Sequence, residues 1–195
     1  MELPVVTRDL VWRVSPEERS DAGEQWRTMG LPENGIVIGL VPTGGYPQKK
    51  WPVEYYAEFA AASSRLGAAQ FLAIWGNETE RTGCETIRRI AGDHVKIAPK
   101  SHLRRTAAFL ERCSMVVGND SGPFHIATAL NKHVIGLYGH TDMTHQGPYS
   151  RHAVTIQSGA CVMEERHCIE CANPVCMTGI KPAQVITAAR TMLGL

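Results

Sequence analysis

The chain has 195 residues, 44% of them hydrophobic, enough for a substantial core in a single domain. Its 20 Lys and Arg against 19 Asp and Glu give a formal net charge of +1, which argues against a generic nucleic-acid binder. No apolar run approaches the roughly 20 residues of a membrane span. The Met1-Glu2-Leu3-Pro4 start has neither the basic nor the apolar part of a signal peptide, so a cytoplasmic protein is expected.

Residues 1–35 read as a linker with one attached helix. Ser15-Pro16-Glu17-Glu18 has capping-box spacing with Pro at the first helical position, predicting a helix from Pro16 to Met29 that stops at Gly30. From residue 36 to 195 the pattern changes to strands alternating with helices. Ile36 to Val41 is a continuous apolar strand of the kind buried on both faces. A helix is predicted over Pro52–Leu66 with Gly67 as its stop, then a strand over Gln70–Trp75. A helix over Glu80–Ile90 and a short strand over Val95–Ile97 follow. Next come a helix over His102–Arg112 and a strand over Ser114–Gly118. A helix over Ser121–Leu130 and a strand over His133–Tyr138 continue the alternation. Ala153–Ile156 is a last strand and Pro182–Leu193 a closing helix. Such alternation implies right-handed crossovers, and hence an α/β fold: a Rossmann-like open parallel sheet with helices on both faces.

In sheets of this kind ligands bind beyond the carboxyl ends of the strands, where the strand order reverses. The unusual polar residues of this chain fall at those ends. They are Pro42 to Trp51 after the first strand, Gly76-Asn77-Glu78 after the second, Asn119 to Gly122 after the fourth and Gly139 to Asp142 after the fifth. The most informative stretch is Val116-Val117-Gly118-Asn119-Asp120-Ser121-Gly122-Pro123-Phe124-His125. A strand runs into a polar turn that opens directly into a helix. The helix start offers free N–H groups and the positive end of the dipole, a phosphate cradle with the Asp120 carboxylate at its lip. Phosphates and hydroxyls together describe a nucleotide sugar.

These residues resemble the donor-binding half of the heptosyltransferases, glycosyltransferase family 9. The resemblance rests on Val117 to Ala127, on Leu137-Tyr138-Gly139-His140-Thr141-Asp142, on Lys49-Lys50-Trp51-Pro52 and on Trp75-Gly76-Asn77-Glu78. It covers roughly residues 35–195. It implies one half of a GT-B fold, with two Rossmann-like domains in the whole enzyme. The donor would be an ADP-heptose-like nucleotide-diphosphate sugar, the acceptor a lipid A–core glycan, and transfer would proceed with inversion and without a cofactor. Two departures stand out: His140 replaces the family's usual Pro, and the acceptor half with its acidic base is expected to be missing. The chain alone is then expected to bind donor without transferring it, in the cytoplasm or peripherally at the inner membrane face. The alternative is a non-catalytic nucleotide-binding module, and a third reading is a metal-binding interaction domain.

Residue by residue, the resemblance assigns the diphosphate to Lys49, where a cation would neutralise charge growing on the leaving group. Lysines are otherwise mostly solvated surface residues. Thr43 and Gly44 offer a hydroxyl and an N–H to phosphate, or form an ordinary turn. Glu78 is the candidate for ribose hydroxyls, or simply a first-turn acid favoured by the helix dipole. Asp120 is assigned to sugar hydroxyls and the Ser121 and Gly122 amides to phosphate, against the plainer reading of Asp120 as an N-cap. His125, one turn further, reads more readily as a supporting residue than as a catalyst. Four of the six cysteines, Cys161, Cys168, Cys171 and Cys176, form a Cys-rich loop over 161–176. They are candidates for a structural zinc or iron–sulfur site, or for plain buried thiols.

Overall fold

The computed structural model describes residues 10–139, 141, 143–159 and 175–195. The helices are α1 (Pro16–Thr28), α2 (Val53–Ala61), α3 (Glu78–Ala91), α4 (Leu103–Arg112), α5 (Gly122–Ala129), α6 (Met143–Gln146), α7 (Val175–Gly179) and α8 (Pro182–Leu193). The strands are β1 (Val37–Val41), β2 (Gln70–Ala73), β3 (Val95–Ile97), β4 (Met115–Asn119), β5 (His133–Tyr138) and β6 (Ala153–Gln157). They form one six-stranded sheet in the order β3-β2-β1-β4-β5-β6, and every neighbouring pair is parallel. The expected Rossmann-like open sheet is therefore present.

Strand alternation splits the core into two layers. Ile38, Leu40, Phe71, Met115, Val117 and Ile135 face α2, α3 and α8, whose Tyr56, Phe59, Ile87, Val185 and Ile186 close that side. Val37, Val41, Leu72, Val116 and Val134 face the other side, covered by Trp26, Phe109, Leu110, Phe124 and Ala127. The capping box of α1 is present: Glu18 N–H donates to Ser15 Oγ at 3.1 Å and Ser15 N–H to Glu18 Oε2 at 2.8 Å. Helix α1 lies on α4 through Trp26, which is 1% exposed, and through the Arg19–Glu111 and Arg105–Asp21 ion pairs at 2.6 and 3.4 Å. Val14, Ala22, Trp26 and Leu31 thus belong to the packed core of the second layer.

The helix expected over Pro52–Leu66 is broken. α2 ends at Ala61, and Ser63–Leu66 forms a 3-10 turn that closes at Gly67 with φ +66°. Ser63 Oγ donates to Ala69 O at 2.7 Å, so a local bond replaces continuation of the helix. α3 begins at Glu78 rather than Glu80, because the Asn77 side chain caps it by accepting from Glu80 N–H at 3.0 Å. The 3-10 turn Pro47–Lys49 and the short helices α6 and α7 have too few residues to show helical periodicity in the sequence.

The sheet order places the site. Connections from β1 run to β2 on one side, while β4 sits on the other side and leads outward to β5. β1 and β4 are thus the adjacent strands at which winding reverses, and a crevice opens beyond their carboxyl ends. Gly118 allows their close approach: a Cβ there would lie 2.7 Å from Val41 Cβ.

Candidate functional site

The loop after β1 and the turn after β4 meet in that crevice. Lys49, on the 3-10 turn Pro47–Lys49, points its Nζ at Asp120 Oδ2 at 2.5 Å. The second carboxylate oxygen, Oδ1, accepts from His125 Nε2 at 2.9 Å. Gln146 at the end of α6 adds its Oε1 at 3.4 Å from Lys49 Nζ, and the Tyr46 ring lies 5.3 Å from the same ammonium. The Asp120 and Lys49 side chains are only 9% and 14% exposed.

Burial opposes charge on both partners, yet both remain strongly ionised. Desolvation pushes the Asp120 carboxyl up, but hydrogen bonds from His125 and Lys49 and the Lys49 charge outweigh it and hold its pKa below the ordinary value. Desolvation pushes Lys49 down, but the hydrogen bond and charge of Asp120 outweigh it and hold its pKa above the ordinary value. The result is a fixed ammonium at neutral pH beside a helix N-terminus.

Thr43 and Ser121 join the two loops: Thr43 Oγ1 donates to Ser121 Oγ at 2.9 Å. Ser121 is the N-cap residue of α5, but no side chain caps that helix. Its first-turn N–H groups are therefore left without a side-chain cap, and Pro123 has none to offer. A Cβ added at Gly122 would meet nothing within 4 Å, so the cradle is open above it. Thr43, Lys49, Asp120, Ser121 and Gly122 are thus brought together. Gly44 lies in the same loop with the Lys50 side chain against it.

Glu78 is placed differently. Its side chain is 69% exposed on the first turn of α3 and pairs with Arg81 at 3.4 Å. Glu80 is the acid turned inward: its Oε2 accepts from Gly76 N–H at 2.8 Å and its Oε1 lies 4.0 Å from Lys50 Nζ. Between these elements and α5 lies a largely apolar cavity of about 570 Å³, lined by Ile74, Trp75, Gly76, Ser101, Leu103, Thr106 and Pro123 among others. Pro123, in the first turn of α5, lines it.

Of the proposed metal ligands, Cys161, Cys168 and Cys171 lie outside the described residues, as do His140 and Asp142. Cys176, on α7, is buried against Gly139, where an added Cβ would lie 3.0 Å from its Sγ. α7 also packs against the turn that carries Lys49. The carboxyl-terminal end of the Cys-rich loop, remote in sequence, is therefore a neighbour of the site. No group of three His, Cys, Asp or Glu side chains converges among the described residues.

Sequence reasoning overlooked Asn119, Glu80 and Gln146. Asn119 carried a signal: an amide at the end of a fully apolar strand must find partners when buried. Glu80 and Gln146 carried none, because helix start and a four-residue helix decide their placement.

The model for glycosyltransferase family 9 (heptosyltransferase) matches residues 6–175. The chain is 33% identical over 164 residues to lipooligosaccharide heptosyltransferase 2 of Haemophilus influenzae, covering 80% of this chain and 46% of that protein. Among solved structures it superposes on a family 9 glycosyl transferase of Veillonella parvula with TM-score 0.85 and 26% identity, over 98% of this chain and 55% of that one. The fold also matches the Escherichia coli heptosyltransferase WaaC, solved with ADP, with TM-score 0.68 and 20% identity over 86% of this chain and 48% of that one. The chain spans about half the length of the curated relatives it matches. A family match across most of its residues, with the fold and strand-end motifs that go with it, places this chain in glycosyltransferase family 9, the heptosyltransferases.

Proposed function

We propose that this chain is the donor-binding half of an inverting glycosyltransferase that takes an ADP-heptose-like sugar and acts in lipopolysaccharide core synthesis. The observation that carries the reading is the convergence of Lys49, Asp120, Ser121 and Thr43 at the β1–β4 reversal point, at the open N-terminus of α5. Cation, hydroxyls and helix N–H groups suit a diphosphate. Asp120, once Lys49 turns toward phosphate, suits sugar hydroxyls. The apolar cavity beside Pro123 suits a nucleobase, and the ADP held by the WaaC neighbour supports adenine. The ribose role is assigned to Glu78 by its motif, although in the ligand-free chain it pairs with Arg81 and Glu80 is the acid beside Lys50.

In this reading an acceptor hydroxyl attacks the anomeric carbon from the face opposite the diphosphate. The bond from that carbon to the diphosphate oxygen breaks, and the electron pair leaves with ADP. Lys49 and the Ser121 and Gly122 amides stabilise the growing negative charge, a term that acts more strongly in the transition state than before it. The acceptor's proton goes to a base contributed by an acceptor-binding half. No helix among the described residues is long and apolar enough to cross a membrane. A cytoplasmic or peripheral inner-face location accords with the proposed lipid-linked acceptor.

Titration calorimetry with ADP, UDP, GDP and adenosine tests this. ADP is expected to bind, more tightly than adenosine. No heat from any nucleoside diphosphate at millimolar ligand would remove the proposal.

A further inference from the structure

The segment from Pro42 to Trp51 carries Thr43, Gly44 and Lys49, yet its only regular structure is the 3-10 turn Pro47–Lys49. Such a segment does not by itself hold a lysine to a fraction of an ångström. The Asn119 side chain, fully buried at the end of β4, ties the segment at both ends. Asn119 Nδ2 donates to Thr43 O at 3.1 Å, near the start of the segment. Asn119 Oδ1 accepts from Trp51 N–H at 3.0 Å, at its end. The same oxygen accepts from Tyr56 O–H at 3.0 Å, which ties in α2. Trp51 is anchored a second time, its Nε1–H donating to Ile180 O at 2.8 Å.

Only an amide serves here. Two acceptances on one atom and a donation from the other are needed at once, which neither a carboxylate nor a hydroxyl supplies in this geometry. Asn119 also immediately precedes Asp120. One residue therefore fixes both ends of the lysine-bearing segment relative to the carboxylate and the phosphate turn.

We propose that Asn119 is a positioning residue of the diphosphate site, which holds the Lys49 segment in register with Asp120 and the N-terminus of α5. The proposal rests on the donor-binding reading above. Its role is pre-organisation: Lys49 waits in place, and little ordering is left to be done when the ligand arrives. A purely structural Asn119 would instead matter for stability alone.

Two measurements separate these roles. The first is the affinity ratio of ADP to adenosine in Asn119→Ala and in the milder Asn119→Ser. ADP affinity is expected to fall about tenfold while adenosine changes by less than about twofold. The second needs no nucleotide: the acetylation rate of Lys49, read by peptide mass spectrometry against the exposed Lys100. Lys49 is expected to react several-fold more slowly than Lys100 in the unaltered chain, and to approach it in both variants. Trp26→Phe is the control, since Trp26 lies on the other layer of the core and its loss of the bond to Pro32 O destabilises without touching the segment. It is expected to lower the unfolding midpoint and leave both readouts unchanged. Failure of the unaltered chain to bind ADP would remove the functional reading, and the acetylation result would still decide the positioning claim. Asn119 variants that fold, keep the ADP-to-adenosine ratio and keep Lys49 slow to acetylate would overturn it. So would a Trp26→Phe variant that shifts both readouts equally.

Discussion

Lys49→Ala perturbs the proposed diphosphate contact most directly. A charge-assisted hydrogen bond is worth about 1.5–3 kcal/mol, so ADP affinity is expected to fall roughly 10- to 150-fold. Two structural features adjust that range in opposite directions. In the ligand-free chain Lys49 already bonds Asp120 at 2.5 Å, so binding exchanges one contact for another and the net loss shrinks. Deleting Lys49 also leaves the 9%-exposed Asp120 carboxylate with only the His125 contact among the described residues, beside incoming phosphates. That uncompensated charge pushes the loss toward the upper end. The double variant Lys49→Ala with Asp120→Asn is therefore expected to recover part of the ADP affinity lost in Lys49→Ala alone. Lys50→Ala is the control: its ammonium faces Glu80 at 4.0 Å rather than Asp120, and a change under about threefold is expected. Calorimetry with ADP and adenosine on all four proteins reads the result. Equal losses for ADP and adenosine in Lys49→Ala would refute the reasoning, because they would show that the substitution acts through folding rather than through phosphate.

Other outcomes follow from the same geometry. The Asp120 carboxyl titrates below its ordinary 3.8, so its contribution to stability is present above that pH and fades as pH falls through its lowered value. The Lys49 ammonium titrates above its ordinary 10.5, so its contribution holds below that pH and is lost as pH rises through the raised value. Urea unfolding should show Asp120→Asn losing less stability than the unaltered chain as pH falls below about 4. Identical acid limbs would contradict this. Burial pushes the Cys84 and Cys113 thiols up to about 12, so both should resist iodoacetamide at neutral pH until urea unfolds the chain. Rapid alkylation of either in the native protein, mapped by mass spectrometry, would be incompatible with their burial. Incubated alone with ADP-heptose and a lipid A–core acceptor, the chain is expected to give no transfer product by chromatography. Steady turnover would require a base within these residues, with His125 examined first.

Much of this molecule was legible in its residues, for identifiable physical reasons. Buried parallel strands such as Val37–Val41 and His133–Tyr138 are continuous apolar runs between turn residues, and composition alone marks them. Pro and Gly punctuate helices, so Pro16 and Pro182 marked the true starts of α1 and α8. Ser-rich, Ala-rich Ala61 to Leu66 lacked such punctuation, and a local serine bond ended α2 early. The polar residues at strand ends pointed to the edge proposed to bind the donor, because packing gives no reason for them to recur there. Sequence spacing carried no distance between Lys49 and Asp120, which are 71 positions apart, nor the bond from Asp120 to His125. Only the strand order brought β1 beside β4, and the buried amide of Asn119 bonds both ends of the loop that follows β1. The inward turn of Glu80, the arrival of Gln146 beside Lys49 and the packing of α7 under the lysine turn are likewise tertiary outcomes. Local pattern determines which segments become strands and helices, since each residue's propensity and burial preference are its own. Which side chains meet depends on how those segments pack, and that is set by the whole core at once.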